Sequence, residues 1–169
     1  MNSFRTTAST IALVAILAIS PAWADFITER SFASPDGKLT FILERDDTNN
    51  RFHWSVNRAG AAIVTRGALG IDLAKIGTIA DEGSISHVET RNVDTTWTPP
   101  FGENSHIPDR FREETLTLAH AGHGNLTVKL QVRAYDEGVT FRYRVNGVAP
   151  LTMRGEKTSF PLPDNAMAW

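Results

Sequence analysis

Apolar and polar positions alternate with a period of two along much of the chain beyond Asp25. The clearest run is Leu126, Val128, Leu130, Val132 and Ala134, with Thr127, Lys129, Gln131 and Arg133 between them. After Asp136-Glu137-Gly138 a second run follows, Val139, Phe141, Tyr143 and Val145 against Thr140, Arg142 and Arg144. Side chains on a strand point to opposite faces in turn, so each run has one apolar and one polar face. Two such runs around a short turn predict an antiparallel hairpin, with Gly138 placed to supply a left-handed residue. Leu39, Phe41 and Leu43, and then Phe52, Trp54 and Val56, repeat the pattern upstream, with Ile42 blurring the first.

Turn signals punctuate the chain at Pro35-Asp36-Gly37, Asn49-Asn50, Arg58-Ala59-Gly60, Gly122-His123-Gly124 and Asn146-Gly147. Between them lie short strands near 61–65, 68–73, 85–90, 111–119 and 151–159. Many short strands without an amphipathic helix predict an all-β fold, an antiparallel sandwich. Trp97 to Asp109 is the one long irregular stretch, and such loops are commonly functional or packed on another surface. The chain closes on Phe160 to Trp169, a strand-like approach ending on a large aromatic. Termini are usually polar and frayed, so this ending reads as a truncation that leaves the sandwich incomplete.

The first 24 residues follow a different pattern. Arg5 is the only charge before Asp25, and it precedes an apolar run from Ile11 to Ile19 and then Ala22-Trp23-Ala24. A basic start, a short apolar run and a small-residue cleavage pattern describe a signal peptide, 1–24, removed after Ala24. A membrane anchor needs about 20 apolar residues, so no anchor is expected. The reading is an exported protein, periplasmic or secreted, whose sandwich domain spans 25–169.

Composition narrows the chemistry. Seventeen Lys and Arg stand against nineteen Asp and Glu, a formal net charge of −2, which argues against nucleic acid as a partner. An apolar content of 41% is too high for a disordered chain. The sequence holds no cysteine, which excludes a disulfide scaffold, a thiolate zinc site and a thiol nucleophile.

No motif supplies catalytic machinery. His120 and His123 flank a glycine-rich turn with no carboxylate at ligand spacing, so they read as hairpin residues, not metal ligands. Carboxylate doublets occur at Asp46-Asp47, Asp81-Glu82, Glu113-Glu114 and Asp136-Glu137. Neighbours on a strand face opposite ways, so none makes the paired carboxyls of a glycosidase by itself. Neither a phosphate-binding loop nor a G-x-S-x-G elbow is present. Trp97, Phe101 and Glu103 are the residues best suited to sugar: rings stack on C–H faces and a carboxylate accepts hydroxyl donors. The residues alone favour the plainer reading, in which these rings cap one open end of the sandwich.

Several motifs together resemble one family. Ser34-Pro35-Asp36-Gly37-Lys38-Leu39 and Ala68-Leu69-Gly70-Ile71 are similar to the start of the N-terminal domain of glycoside hydrolase family 97. Trp97-Thr98-Pro99-Pro100-Phe101-Gly102-Glu103 resembles its W-x-P-x-W-G-E stretch, with Phe101 in place of tryptophan. Phe111-Arg112-Glu113 resembles its Y-N-E, and Arg133 to Tyr143 its R-x-x-N-D-G-x-x-F-R-Y. Glu114 departs from the family pattern, which is apolar there.

The resemblance implies an exported enzyme acting on α-linked oligosaccharides, with an N-terminal mutarotase-like β-super-sandwich and a (β/α)8 barrel that carries the chemistry. Calcium is implied for the full-length enzyme, and no cofactor for this chain. No residue here matches a catalytic or metal-binding position of the family, so the chain is expected to be inactive alone. Trp97, Phe101, Glu103 and Glu113 are the candidate contacts with sugar or with the barrel. Two alternatives stand beside this reading: a stand-alone carbohydrate-binding module, and a mutarotase-like epimerase, which requires a His and a Glu converging on one concave face.

Overall fold

The computed structural model describes residues 26–119, 126–147, 150–164 and 166–167. The leader 1–24, His120 and His123 with their glycine turn, and Trp169 lie outside the described residues. Among the described residues no helix is long and apolar enough to cross a membrane.

Among the described residues eleven strands form three antiparallel sheets. The first contains β1 (Phe26–Ala33), β2 (Leu39–Asp46), β3 (Phe52–Arg58) and β4 (Ala61–Ala68), in that order. The second runs β10 (Val139–Asn146), β9 (Thr127–Tyr135), β8 (Ile107–Ala119), β7 (Ser84–Trp97). A small third sheet orders β11 (Met153–Glu156), β5 (Ile71–Leu73) and β6 (Gly77–Ile79). The sheets enclose one core, and the protein is a β-sandwich.

The alternation predicted for 126–145 is the pairing observed. Val139 faces Ala134, Phe141 faces Val132, Tyr143 faces Leu130 and Val145 faces Val128. Leu130, Val132 and Ala134 are fully buried, as are Phe41 and Leu43 of β2 across the core. Trp54 ties the layers together: its ring stacks on Phe41 at 6.3 Å and meets Phe141 edge-on at 5.0 Å. The turn differs from expectation. Gly138 is not left-handed; the three residues 136–138 between the strands close the loop without a positive φ, with Tyr135 N–H donating to Gly138 C=O at 2.8 Å.

Other boundaries shifted for identifiable reasons. β1 carries a bulge between Thr28 and Arg30, which breaks its period and hid it from the alternation. The expected strand near 68–73 is split at Gly70, whose φ of +146° turns the chain from the first sheet into the third. Only the ends of Trp97–Asp109 are strand, and residues 98–106 form the irregular tip of the β7–β8 hairpin. The strand expected near 151–159 is shorter, Met153–Glu156. Residues beyond it run antiparallel to β4, with Lys157 N–H donating to Gly70 C=O and Thr65 N–H to Pro161 C=O, both at 2.9 Å.

That returning segment explains Gly67. A Cβ at this position would overlap the Ser159 carbonyl oxygen and the Trp54 indole. Gly67→Ala is therefore expected to destabilise by about 1–3 kcal/mol, the scale of overpacking. Amide exchange at Lys157 and Ser159 should rise, while exchange in β9 stays protected.

The two faces of the β9–β10 hairpin give a second test. Val132→Asp places an unpaired carboxylate in the core and is expected to abolish cooperative unfolding, at a cost of several kcal/mol. Thr140 is exposed on the opposite face. Thr140→Asp should shift stability in denaturant by no more than about 0.5 kcal/mol.

Candidate functional site

Strand β8 organises the two surfaces that bear on function. Its lower half is a central strand, paired to β7 on one side and to β9 on the other, the β9 pairing ending at Phe111↔Tyr135. Beyond that point β7 and β8 continue alone as a two-stranded ribbon to Trp97↔Ile107. The ribbon has little core to bury, which is why its residues show no apolar alternation and why the sequence pattern stops at 90.

The ribbon carries its apolar residues at the tip. Trp97 is 56% and Phe101 87% exposed, with Ile107 beside them at the strand end. Gly102 follows Phe101 with φ +131°, a conformation that keeps this position small. The structure therefore brings Trp97, Phe101 and Glu103 together on one exposed loop. Glu113 is elsewhere: it lies six residues down β8 from Ile107, about 20 Å by strand rise, and is 5% exposed.

Glu113 and its neighbour Glu114 are both buried, on opposite faces of the sheet. Glu114 lies opposite Val132 on the core face. Arg30 of β1 reaches across the sandwich and grips it with two hydrogen bonds, Nε to Oε2 at 2.9 Å and Nη2 to Oε1 at 2.7 Å. Glu113 lies opposite Arg133 on the outer face and accepts its Nε at 2.6 Å, with Arg91 Nη2 at 3.2 Å on the other side. Burial works against the Glu113 charge, but hydrogen bonds from Arg133 and Gln131, with the charges of Arg133 and Arg91, outweigh it. The carboxyl is held below the usual carboxylate range. The same two guanidinium groups cover the Phe111 ring, Arg133 at 4.4 Å and Arg91 at 5.6 Å from its centroid.

These arginines belong to an open groove of about 670 Å³ on the outer face of β7–β10. Its lining is polar throughout and includes Thr115, Gln131, Lys129, Arg142 and Arg144. Sequence reasoning missed this groove. The signal was present, since Lys129, Arg133, Arg142 and Arg144 are the polar members of the alternating runs and strand pairing puts them side by side.

What the site lacks is a pair of free carboxyls. Both buried glutamates are saturated by arginine, which suits neither general acid–base work nor a cation. Among the described residues no group of three His, Asp or Glu is placed to hold a metal ion. The donor sets here do not fit the calcium that the family resemblance implies for the whole enzyme. His53 and Glu44 are register partners on the first sheet. Glu44 accepts Arg66 Nε at 3.2 Å, while burial, and after it the Arg66 charge, pushes the His53 imidazole below its ordinary range.

The family model described as glycosyl-hydrolase 97 N-terminal matches residues 32–169. Among solved structures, a glycoside hydrolase family 97 enzyme from Pseudoalteromonas sp. strain K8 superposes with a TM-score of 0.70 at 25% identity. A single-substitution variant of that enzyme is described in complex with panose, and the enzyme in complex with acarbose. The match covers 80% of this chain and 20% of that enzyme. A β-arabinopyranosidase superposes equally well, TM-score 0.70, at 22% identity and over 22% of its length, which shows a shared fold. This chain thus spans about a fifth of the enzymes it resembles. No curated protein matches it significantly.

The Glu113 cluster makes a signed prediction. Its carboxyl is depressed in the folded state, so its contribution to stability is complete above the ordinary glutamate value of about 4.3 and is lost as pH falls through the folded value. Glu113→Gln should lower stability at pH 7 by about 1–3 kcal/mol. The difference between native protein and variant should shrink on acidification, read by denaturant titration at pH 7 and below pH 4.

Proposed function

Because the chain belongs to the N-terminal domain family of glycoside hydrolase family 97, we propose that it is the non-catalytic sandwich of an exported glycoside hydrolase acting on α-linked oligosaccharides. In this reading it packs against a (β/α)8 barrel that is not part of these 169 residues. The observation that carries it is the β7–β8 ribbon, an arm that leaves the sandwich and ends in exposed Trp97 and Phe101. Large apolar side chains this exposed at the end of a polar arm mark interaction sites. The saturation of Glu113 and Glu114 by arginine supports the non-catalytic role. The leader pattern at 1–24 supports export.

The same tip supports a second reading, a carbohydrate-binding module, since two accessible rings beside Glu103 offer a stacking surface. The two readings separate experimentally. The purified protein is expected to release no product from aryl α-glucosides or α-galactosides with calcium present. It is expected to self-associate in sedimentation velocity through the tip, and Trp97→Ser with Phe101→Ser should return it to a monomer. If that double variant instead abolishes maltooligosaccharide binding and leaves association unchanged, the binding-module reading replaces the docking one. Turnover that survives purification and vanishes in Glu103→Gln would overturn both.

A further inference from the structure

The outer-face groove has a composition that neither docking nor neutral-sugar binding explains. Five cations line it, Arg91, Lys129, Arg133, Arg142 and Arg144, against two carboxylates, Glu89 and Glu113. This surplus of positive charge sits on a chain whose formal net charge is −2. Both carboxylates are already engaged, Glu113 by Arg133 and Arg91, and Glu89 by Lys129 at 3.0 Å. Arg142 gives its Nε to Gln131 Oε1 at 2.6 Å, a bond that orients the guanidinium, and among the described residues its two Nη groups have no side-chain partner. Arg144 has no ion pair or side-chain hydrogen bond among the described residues. Cross-strand pairing sets the spacing: Arg142 stands opposite Gln131, and Arg144 opposite Lys129, two residues along the same face.

We propose that this groove is a binding subsite for an acidic oligosaccharide, a short glycan bearing uronate carboxylates. Three features select that class. A guanidinium fork matches a carboxylate in two parallel hydrogen bonds, and Arg142 and Arg144 offer two such forks along one line. The groove of about 670 Å³ has the size of a small-ligand site. Its lining holds no aromatic side chain, so the stacking that retains a neutral sugar is missing, whereas Thr115 and Gln131 can meet hydroxyls. A protein partner is disfavoured because the lining holds no aromatic or methionine side chain, and the centres of protein interfaces are enriched in both. The inference does not rest on the docking reading, since groove and ribbon tip share no lining residue.

The test is calorimetric titration of the protein with trigalacturonate, maltotriose and a glutamate peptide of matched charge. Trigalacturonate is expected to bind, more weakly as salt is raised. Arg142→Gln with Arg144→Gln should weaken it by at least about tenfold, the scale of one lost charge-assisted hydrogen bond. Both side chains are exposed, so the circular dichroism of the variant should be unchanged. Absence of trigalacturonate binding, equal binding of maltotriose, or unaltered affinity in the double variant would overturn the proposal. Equal binding of the glutamate peptide would also overturn it, and would assign the groove to an acidic protein surface.

Discussion

A strand must send consecutive side chains to opposite faces, and at Glu113-Glu114 that rule puts the first carboxylate into the outer groove and the next into the core. Neither position is tolerable for a bare charge, because a buried ion without a partner costs several kcal/mol. The remainder of the architecture answers this constraint. Arg30 must cross from β1 to reach Glu114, which fixes the first sheet over the second. Arg133 must stand beside Glu113 in register, which fixes β9 against β8. The two ion pairs add specificity more than net stability, since arginine and glutamate lose hydration that their attraction only returns. Their value is that a slip of one residue in β8 would strand both charges at once.

The same strand links core to function. Its lower half is held between β7 and β9, and its upper half projects as a ribbon whose root is the Phe111 ring under two guanidinium groups. A two-stranded ribbon is marginal alone. Here it inherits order from the sheet below, so the tip is carried on a rigid base while presenting Trp97 and Phe101 outward. Residues that sequence proximity grouped, Trp97, Phe101, Glu103 and Glu113, are thereby separated into an exposed tip and a buried anchor.

How far the sequence could be read follows from where burial enforces alternation. The β9–β10 pair was legible residue by residue because one face of each strand packs on the core. The β7–β8 ribbon was not, because neither of its faces is deeply buried and its strands show no period. β1 escaped through its bulge at Glu29. The third sheet escaped because β5 and β6 have three residues each, too few to establish a pattern. The stretch after Glu156 joins β4 through backbone bonds and the hydroxyls of Ser159 and Thr65, which leave no trace in side-chain periodicity. Of the candidate site, the tip was visible as a run of aromatics and prolines. The groove was present as the polar half of two alternating runs, but only strand register shows that those cations share one face.

Apolar and charged surfaces are thus segregated on this domain by the geometry of one hairpin. An apolar tip displaced from the sheet can be buried by a partner without dragging charged side chains out of water. A groove of arginines on the sheet itself can meet an anion while its own glutamates keep the guanidinium planes aligned. Had Trp97 or Phe101 stood on the outer face of β8, docking would have desolvated Arg133 and Arg91 and broken the pairing that buries Glu113. Extending the strand beyond its last β9 partner is what keeps the two surfaces apart.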